Sequence, residues 1–102
     1  MNMNIQNLMR EAQKMQKDLQ KTQNELENTE YEGTSSLVKI VLNGGMEMKS
    51  IKIEAEDKLN DEDDIEMLED MILIAYNDAL KKVLADKQKK LGKYGQGLSG
   101  LM

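Results

Sequence analysis

The sequence predicts an α+β subunit of order α-β-β-β-α, with two long helices flanking a small antiparallel sheet. Three observations carry this. A heptad of apolar residues runs through the first 28 positions, and a β-rich block with a glycine turn fills the middle. A second helical period then continues for about thirty residues. At 102 residues the chain has room for one thin core.

The first helix is expected over Asn4 to Asn28. Ile5, Leu8, Ala12, Met15, Leu19, Thr22 and Leu26 alternate spacings of three and four, a seam with one polar lapse at Thr22. Asn4 suits its N-cap. Such a helix is about 37 Å long at 1.5 Å per residue and overhangs a small sheet, so either part of it projects into solvent or a second chain covers the seam. A short strand is expected over Thr29 to Thr34, turning through Ser35-Ser36. Leu37 to Leu42 follows with Val38, Ile40 and Leu42 on one face. Asn43-Gly44-Gly45 is read as supplying the positive-φ residues of a hairpin. In the return strand, Met46 to Ile53, the alternation slips near Ser50, which predicts a bulge.

The second helix is expected over Asp61 to Leu91, capped by Asn60 or Asp61. Its apolar stripe is Ile65, Leu68, Met71, Ile72, Ala75, Ala79 and Val83. Asn77, which follows Ile74, Ala75 and Tyr76 within the apolar stripe, is expected as a buried amide closing a hydrogen-bond network. Gly92, Gly95, Gly97 and Gly100 then end regular structure, and Leu98, Leu101 and Met102 lie in the tail.

Composition removes chemistry. There is no Cys and no His, hence no thiolate or imidazole and no zinc site of the usual ligand types. Carboxylates abound, but none has an apolar pocket to raise its pKa. Asp57, Asp61, Glu62, Asp63 and Asp64 fail the calcium-loop pattern, with Glu62 where Gly is needed and Leu68 where the bidentate Glu belongs. They read as a helix cap and a solvated helix start. Gly44-Gly45 lacks the phosphate-loop pattern. The nine Met residues read as core and interface filler. No enzyme, cofactor, metal or small-molecule substrate is expected. No stretch approaches a membrane span, and the N-terminal residues lack the apolar block of a signal peptide, so a cytoplasmic location is expected.

Net charge is −5, which taken alone argues against a polyanionic partner. The charge is segregated, however. Glu54 to Asp70 holds ten acids and one Lys, whereas Lys81 to Lys93 holds six Lys and one Asp. In the first helix, Arg10, Lys14, Lys17 and Lys21 fall on the face turned away from the seam, and Glu11, Asp18 and Glu25 fall in a separate column. Such a stripe can follow a phosphate path and release condensed counterions. A solvated face is the plainer reading, and the sorting of signs weighs against it. On the second helix, dipole complementation accounts for Lys87, Lys89 and Lys90. Phosphate contact is the alternative for that end, with Lys81, Lys82, Lys89 and Lys90 as the candidates.

The ordered words of the chain resemble the YbaB/EbfC family of bacterial nucleoid-associated proteins. Asn7-Leu8-Met9 with Ala12-Gln13-Lys14-Met15-Gln16 looks like its opening helix, and Leu37-Val38-Lys39-Ile40 with Asn43-Gly44 is similar to its hairpin. Met67-Leu68-Glu69-Asp70 and Ala75-Tyr76-Asn77-Asp78-Ala79-Leu80-Lys81-Lys82 match its second-helix signature. The likeness spans the whole chain, although the tail lacks the prolines of many members. It implies a single YbaB-like domain over 1–91 with a flexible Gly-rich tail over 92–102. It further implies a tight, tweezer-like homodimer with protruding helices, located in the nucleoid. Double-stranded DNA is the implied partner, bound with weak sequence specificity and with effects on its conformation, nucleoid organisation and gene expression. The positions it carries over are Arg10, Lys14, Lys17 and Lys21, then the lysines from Lys81 on. A competing expectation from the seam and the acidic surface is a dimeric protein-interaction module built on projecting coiled-coil-like helices.

Overall fold

The computed structural model describes residues 4–54 and 61–94. Helix α1 (Ile5–Glu27) leads into strands β1 (Glu30–Ser35), β2 (Val38–Asn43) and β3 (Met48–Ile53), and helix α2 (Glu62–Leu91) follows. A 3-10 turn, Gly92–Tyr94, extends α2. The strands pair antiparallel in the order β1-β2-β3, as the alternation in the sequence predicts. The Asn60 cap, Asp57 and the tail beyond Tyr94 lie outside the described residues.

Local chemistry explains the boundaries. The Asn4 side chain accepts from the Gln6 amide at 3.0 Å and caps α1. Asp61 does the same for α2 by accepting from the Asp64 amide at 3.0 Å, with Glu62, Asp63 and Asp64 in the first turn facing the positive end of the helix dipole. The expected irregularity in β3 falls one residue from Ser50. Val41 faces Ser50 and Leu42 faces Met48, so Lys49 is the extra residue of a bulge.

The hairpin turn corrects the expectation about its glycines. Its left-handed residue is Met46, at φ 66°. Asn43 organises the turn by accepting from the Gly45 and Glu47 amides at 2.9 and 3.0 Å. Gly44 serves close approach instead: a Cβ there would stand 2.1 Å from the Leu26 carbonyl oxygen, and its own amide donates to that oxygen at 3.0 Å. This contact joins the end of α1 to the sheet.

The core lies between one face of the sheet and α2. Val38, Ile40 and Leu42 from β2 meet Ala75, Ala79 and Val83, with Tyr31 beside them and Leu68, Met71 and Ile72 packed around. Each large side chain fully buried there contributes about 1.5–3 kcal/mol. Gly33, opposite Ile40, lets α2 settle directly on β1. Two expectations for α2 fail. Asn77 is exposed rather than buried, because it lies beyond the arc that meets the sheet. Ile65 is also exposed, although it shares the phase of the buried stripe.

Polar groups on α2 tie down the outer edge of β1. The Lys82 ammonium donates to the Glu32 carbonyl at 2.7 Å, and Asp78 accepts from the Thr34 amide at 3.1 Å. Both groups on β1 are thereby closed to pairing with another strand. Nearby, the Tyr31 hydroxyl donates to Asp86, which also pairs with Lys90 at 2.9 Å. Burial, reinforced by this bond to a charged carboxylate, pushes the Tyr31 hydroxyl up to about 12. The bond from Tyr31 and then the Lys90 partner hold Asp86 below the usual carboxylate range. The Tyr31 contribution to stability is therefore complete below its ordinary value of 10.0 and disappears as pH rises through about 12. The Asp86 contribution is present above the ordinary carboxylate value and fades as pH falls through its lowered one. Melting temperature should accordingly drop more steeply between those two alkaline values in the unaltered protein than in Tyr31→Phe. Parallel curves would show that the bond carries no linkage.

Candidate nucleic-acid interface

Helix α1 is an arm. Leu26 is its buried residue, and from Asn4 to Asp18 every side chain is exposed. The 23 residues make a rod of about 35 Å, and the molecule measures 76 × 21 × 15 Å. The seam is bare in the protomer: Ile5 is 69% exposed and Met15 59%.

Arg10, Lys14, Lys17 and Lys21 share a narrow arc of this arm, opposite the seam, over about 16 Å of its length. All four are exposed, and none forms an ion pair among the described residues. Glu11 and Asp18 stand three residues before Lys14 and Lys21, and Asp18 and Glu25 four residues after them, yet none of these carboxylates pairs with the column among the described residues. The positive column is thus open to solvent. Beside its root lies an open hollow of about 640 Å³, where Lys17 and Lys21 meet Gln20, Asn24 and Asn28, with the Glu25 carboxylate at its lining as well. The charge pattern gives no sign of those amides, since neutral polar residues on an exposed helix face are silent in it.

The α2 lysines divide. Lys81 is exposed beside Thr34 and Asn77, and Lys89 is exposed in the last turn. Lys82 is engaged with Glu32 and with Asp78, the latter at 3.7 Å, and Lys90 is engaged with Asp86. The four therefore do not form a second open column like that of α1. No helix among the described residues is long and apolar enough to cross a membrane.

Residues 1–98 match the model of the YbaB/EbfC DNA-binding family. A nucleoid-associated protein of Clostridium botulinum is 46% identical over 99 residues, a match covering 95% of this chain and 86% of that one. A nucleoid-associated protein of Enterococcus faecalis is 39% identical over 99 residues, covering 95% and 93%. The crystal structure of uncharacterized protein HP0035 from Helicobacter pylori shares the fold, with a TM-score of 0.71 at 22% identity over 86% of this chain and 92% of that one.

Proposed function

Because the chain belongs to the YbaB/EbfC DNA-binding family, we propose that it is a nucleoid-associated homodimer whose arms hold double-stranded DNA by its phosphates. The observation that carries this is the column Arg10, Lys14, Lys17 and Lys21, exposed, unpaired among the described residues and opposite the apolar seam. With the seam covered by a partner, the column still faces outward. Lys81 and Lys89 are the α2 lysines available to extend the contact, and Lys82 and Lys90 join only by leaving their present partners. Lysines on a helix face neutralise phosphates without reading base edges, so affinity depends on salt far more than on sequence. Held in two arms, a duplex is altered in conformation, which links the protein to nucleoid organisation and gene expression in the bacterial cytoplasm. The test is a salt-dependent titration of duplex DNA against a charge-reversed column.

The apolar surface left bare supports the dimer. The accessible surface is 8045 Å², against about 5,800 Å² for a compact monomer of this mass. Part of the excess lies beside the core. Ile53 and Ile51 sit opposite buried Val38 and Ile40 and so point to the helix side of the sheet, yet they remain 40% and 45% exposed. Helix α2 lies over β1 and β2 and leaves β3 uncovered. It also carries a second leucine stripe, Leu73, Leu80, Leu84 and Leu91, spaced seven, four and seven. Asp78 and Lys82 reach the β1 edge, which turns this stripe toward the β3 side. Floor and wall together form an apolar trough that a second copy covers. Ile51→Asp should therefore sediment as a folded monomer at micromolar concentration, where the unaltered protein is a dimer, and should bind DNA far more weakly. A dimeric Ile51→Asp would rule out this trough as the interface.

A further inference from the structure

The solvent side of α1 is sorted into lanes. Gln6, Gln13 and Gln20, seven residues apart, lie on one flank of the cations, and Glu11, Asp18 and Glu25, also seven apart, lie on the other. The first carboxylate on the glutamine flank is Glu27, at the end of the helix. A polyanion resting on the cations is repelled from one side and accepted on the other, so the duplex lies over the amides.

The hollow at the root of the arm is where those amides become organised. Asn24 takes the place in the cation column held by Arg10 and Lys17 in earlier turns, and it stands beside Lys17 and Lys21. Gln20 Nε2 donates to Asn24 Oδ1 at 3.2 Å. This bond orients the Asn24 amide while leaving one lone pair on Oδ1 and both hydrogens on Nδ2 for a ligand. An amide so presented matches the major-groove edge of adenine, where N6 donates and N7 accepts. Guanine offers acceptors at both N7 and O6 and cannot satisfy the Asn24 oxygen. Lysines on neighbouring turns supply the phosphate contacts that press such a reader into the groove.

We infer that Asn24, oriented by Gln20 and flanked by Lys17 and Lys21, reads an adenine edge in the major groove and gives the arm a preference for A·T steps. The inference rests on the DNA-binding reading above and goes beyond it, since backbone contact alone is indifferent to sequence. Asn24 makes the contact; Gln20 is a positioning residue.

The test uses the full chain and three duplexes of equal length: an A·T core, a G·C core, and the A·T core carrying 7-deazaadenine, which lacks N7 but leaves pairing intact. The unaltered protein should favour the A·T core about fivefold or more, the lower end for one bidentate amide–adenine contact. Asn24→Ala should bind both natural cores equally, with an unchanged dependence on salt, and Gln20→Ala should show a reduced preference. The 7-deaza duplex should abolish the preference of the unaltered protein and leave Asn24→Ala unaffected. Both positions are exposed on a helix that alanine favours, so folding is preserved. Equal binding of both cores by the unaltered protein overturns the inference while leaving the phosphate grip standing. So does a preference that survives Asn24→Ala or the removal of N7. Failure to retard any duplex at low salt overturns the grip itself and this inference with it.

Discussion

Changing Lys14, Lys17 and Lys21 together to Glu is expected to weaken duplex binding by about 10³-fold or more at low salt, with helix content and dimerisation unchanged. Two arms bring eight cations of the column to the duplex. If most of them meet phosphate, log K falls with log salt at a slope of about −5 to −7, and a fourfold rise in salt costs the unaltered protein about 10³–10⁴ in affinity. The triple change turns six of those interactions from attraction to repulsion. It also places Glu four residues before Asp18 and Glu25, a like-charge spacing that costs each arm only a few tenths of a kcal/mol per pair. The companion change of the same three residues to Gln removes the charges without adding repulsion. It should flatten the slope by about 0.9 for each phosphate that is no longer neutralised. Binding of the Glu variant at the unaltered strength and slope would remove α1 from the interface.

The order of elements could be read from the sequence because each segment keeps one period. The heptad through Leu26, the alternation Val38, Ile40, Leu42 and the spacing Ala75, Ala79, Val83 each follow one packing rule; the strand and second-helix sets are buried, whereas in the heptad Leu26 is buried and Ile5, Leu8 and Met15 stay exposed. The bulge was legible for the same reason, since a phase slip between Met48 and Ile51 leaves one extra residue to absorb. What was not legible depends on contacts distant in sequence. Gly44 looks like a turn residue, yet its need is set by the Leu26 carbonyl eighteen positions earlier. Asn77 looks internal because its neighbours are apolar, but only the placement of α2 on β1 and β2 decides which arc is covered. The engagement of Lys82 with β1 was likewise hidden, since no local pattern tells that a lysine will close a strand edge. The cation column needed no such information. Four residues on one turn-to-turn path are neighbours in any helix, and an arm standing clear of the body leaves them as the sequence arranges them.

Three glycine-to-alanine changes should separate the core from the arm. In Gly33→Ala the new methyl would stand 2.1 Å from the Ala75 carbonyl oxygen, 2.4 Å from the Ala79 nitrogen and 2.8 Å from the Ala79 Cβ. Two of these are backbone atoms of α2, so no side chain can swing aside, and the helix must lift from β1. That strains the bonds of Lys82 to Glu32 and of Asp78 to Thr34 and opens the layer between Ile40 and Ala79. Overpacking of this kind typically costs about 1–3 kcal/mol and more where backbone must move, a large share of the few kcal/mol by which so small a domain is stable. Gly33→Ala should therefore unfold near ambient temperature. Gly44→Ala meets the Leu26 carbonyl oxygen at 2.1 Å, which is also backbone, but at the joint of the arm rather than in the core. Its sheet and α2 should melt close to the unaltered temperature while α1 loses its fixed angle and DNA affinity falls. Gly45→Ala, whose nearest neighbour is the Asn43 side-chain oxygen at 3.3 Å, should change neither property appreciably. A Gly44→Ala protein that binds DNA at full strength would mean that the angle of the arm does not matter. The grip would then need only the cations on α1 and not the rigidity with which the Leu26–Gly44 contact presents them.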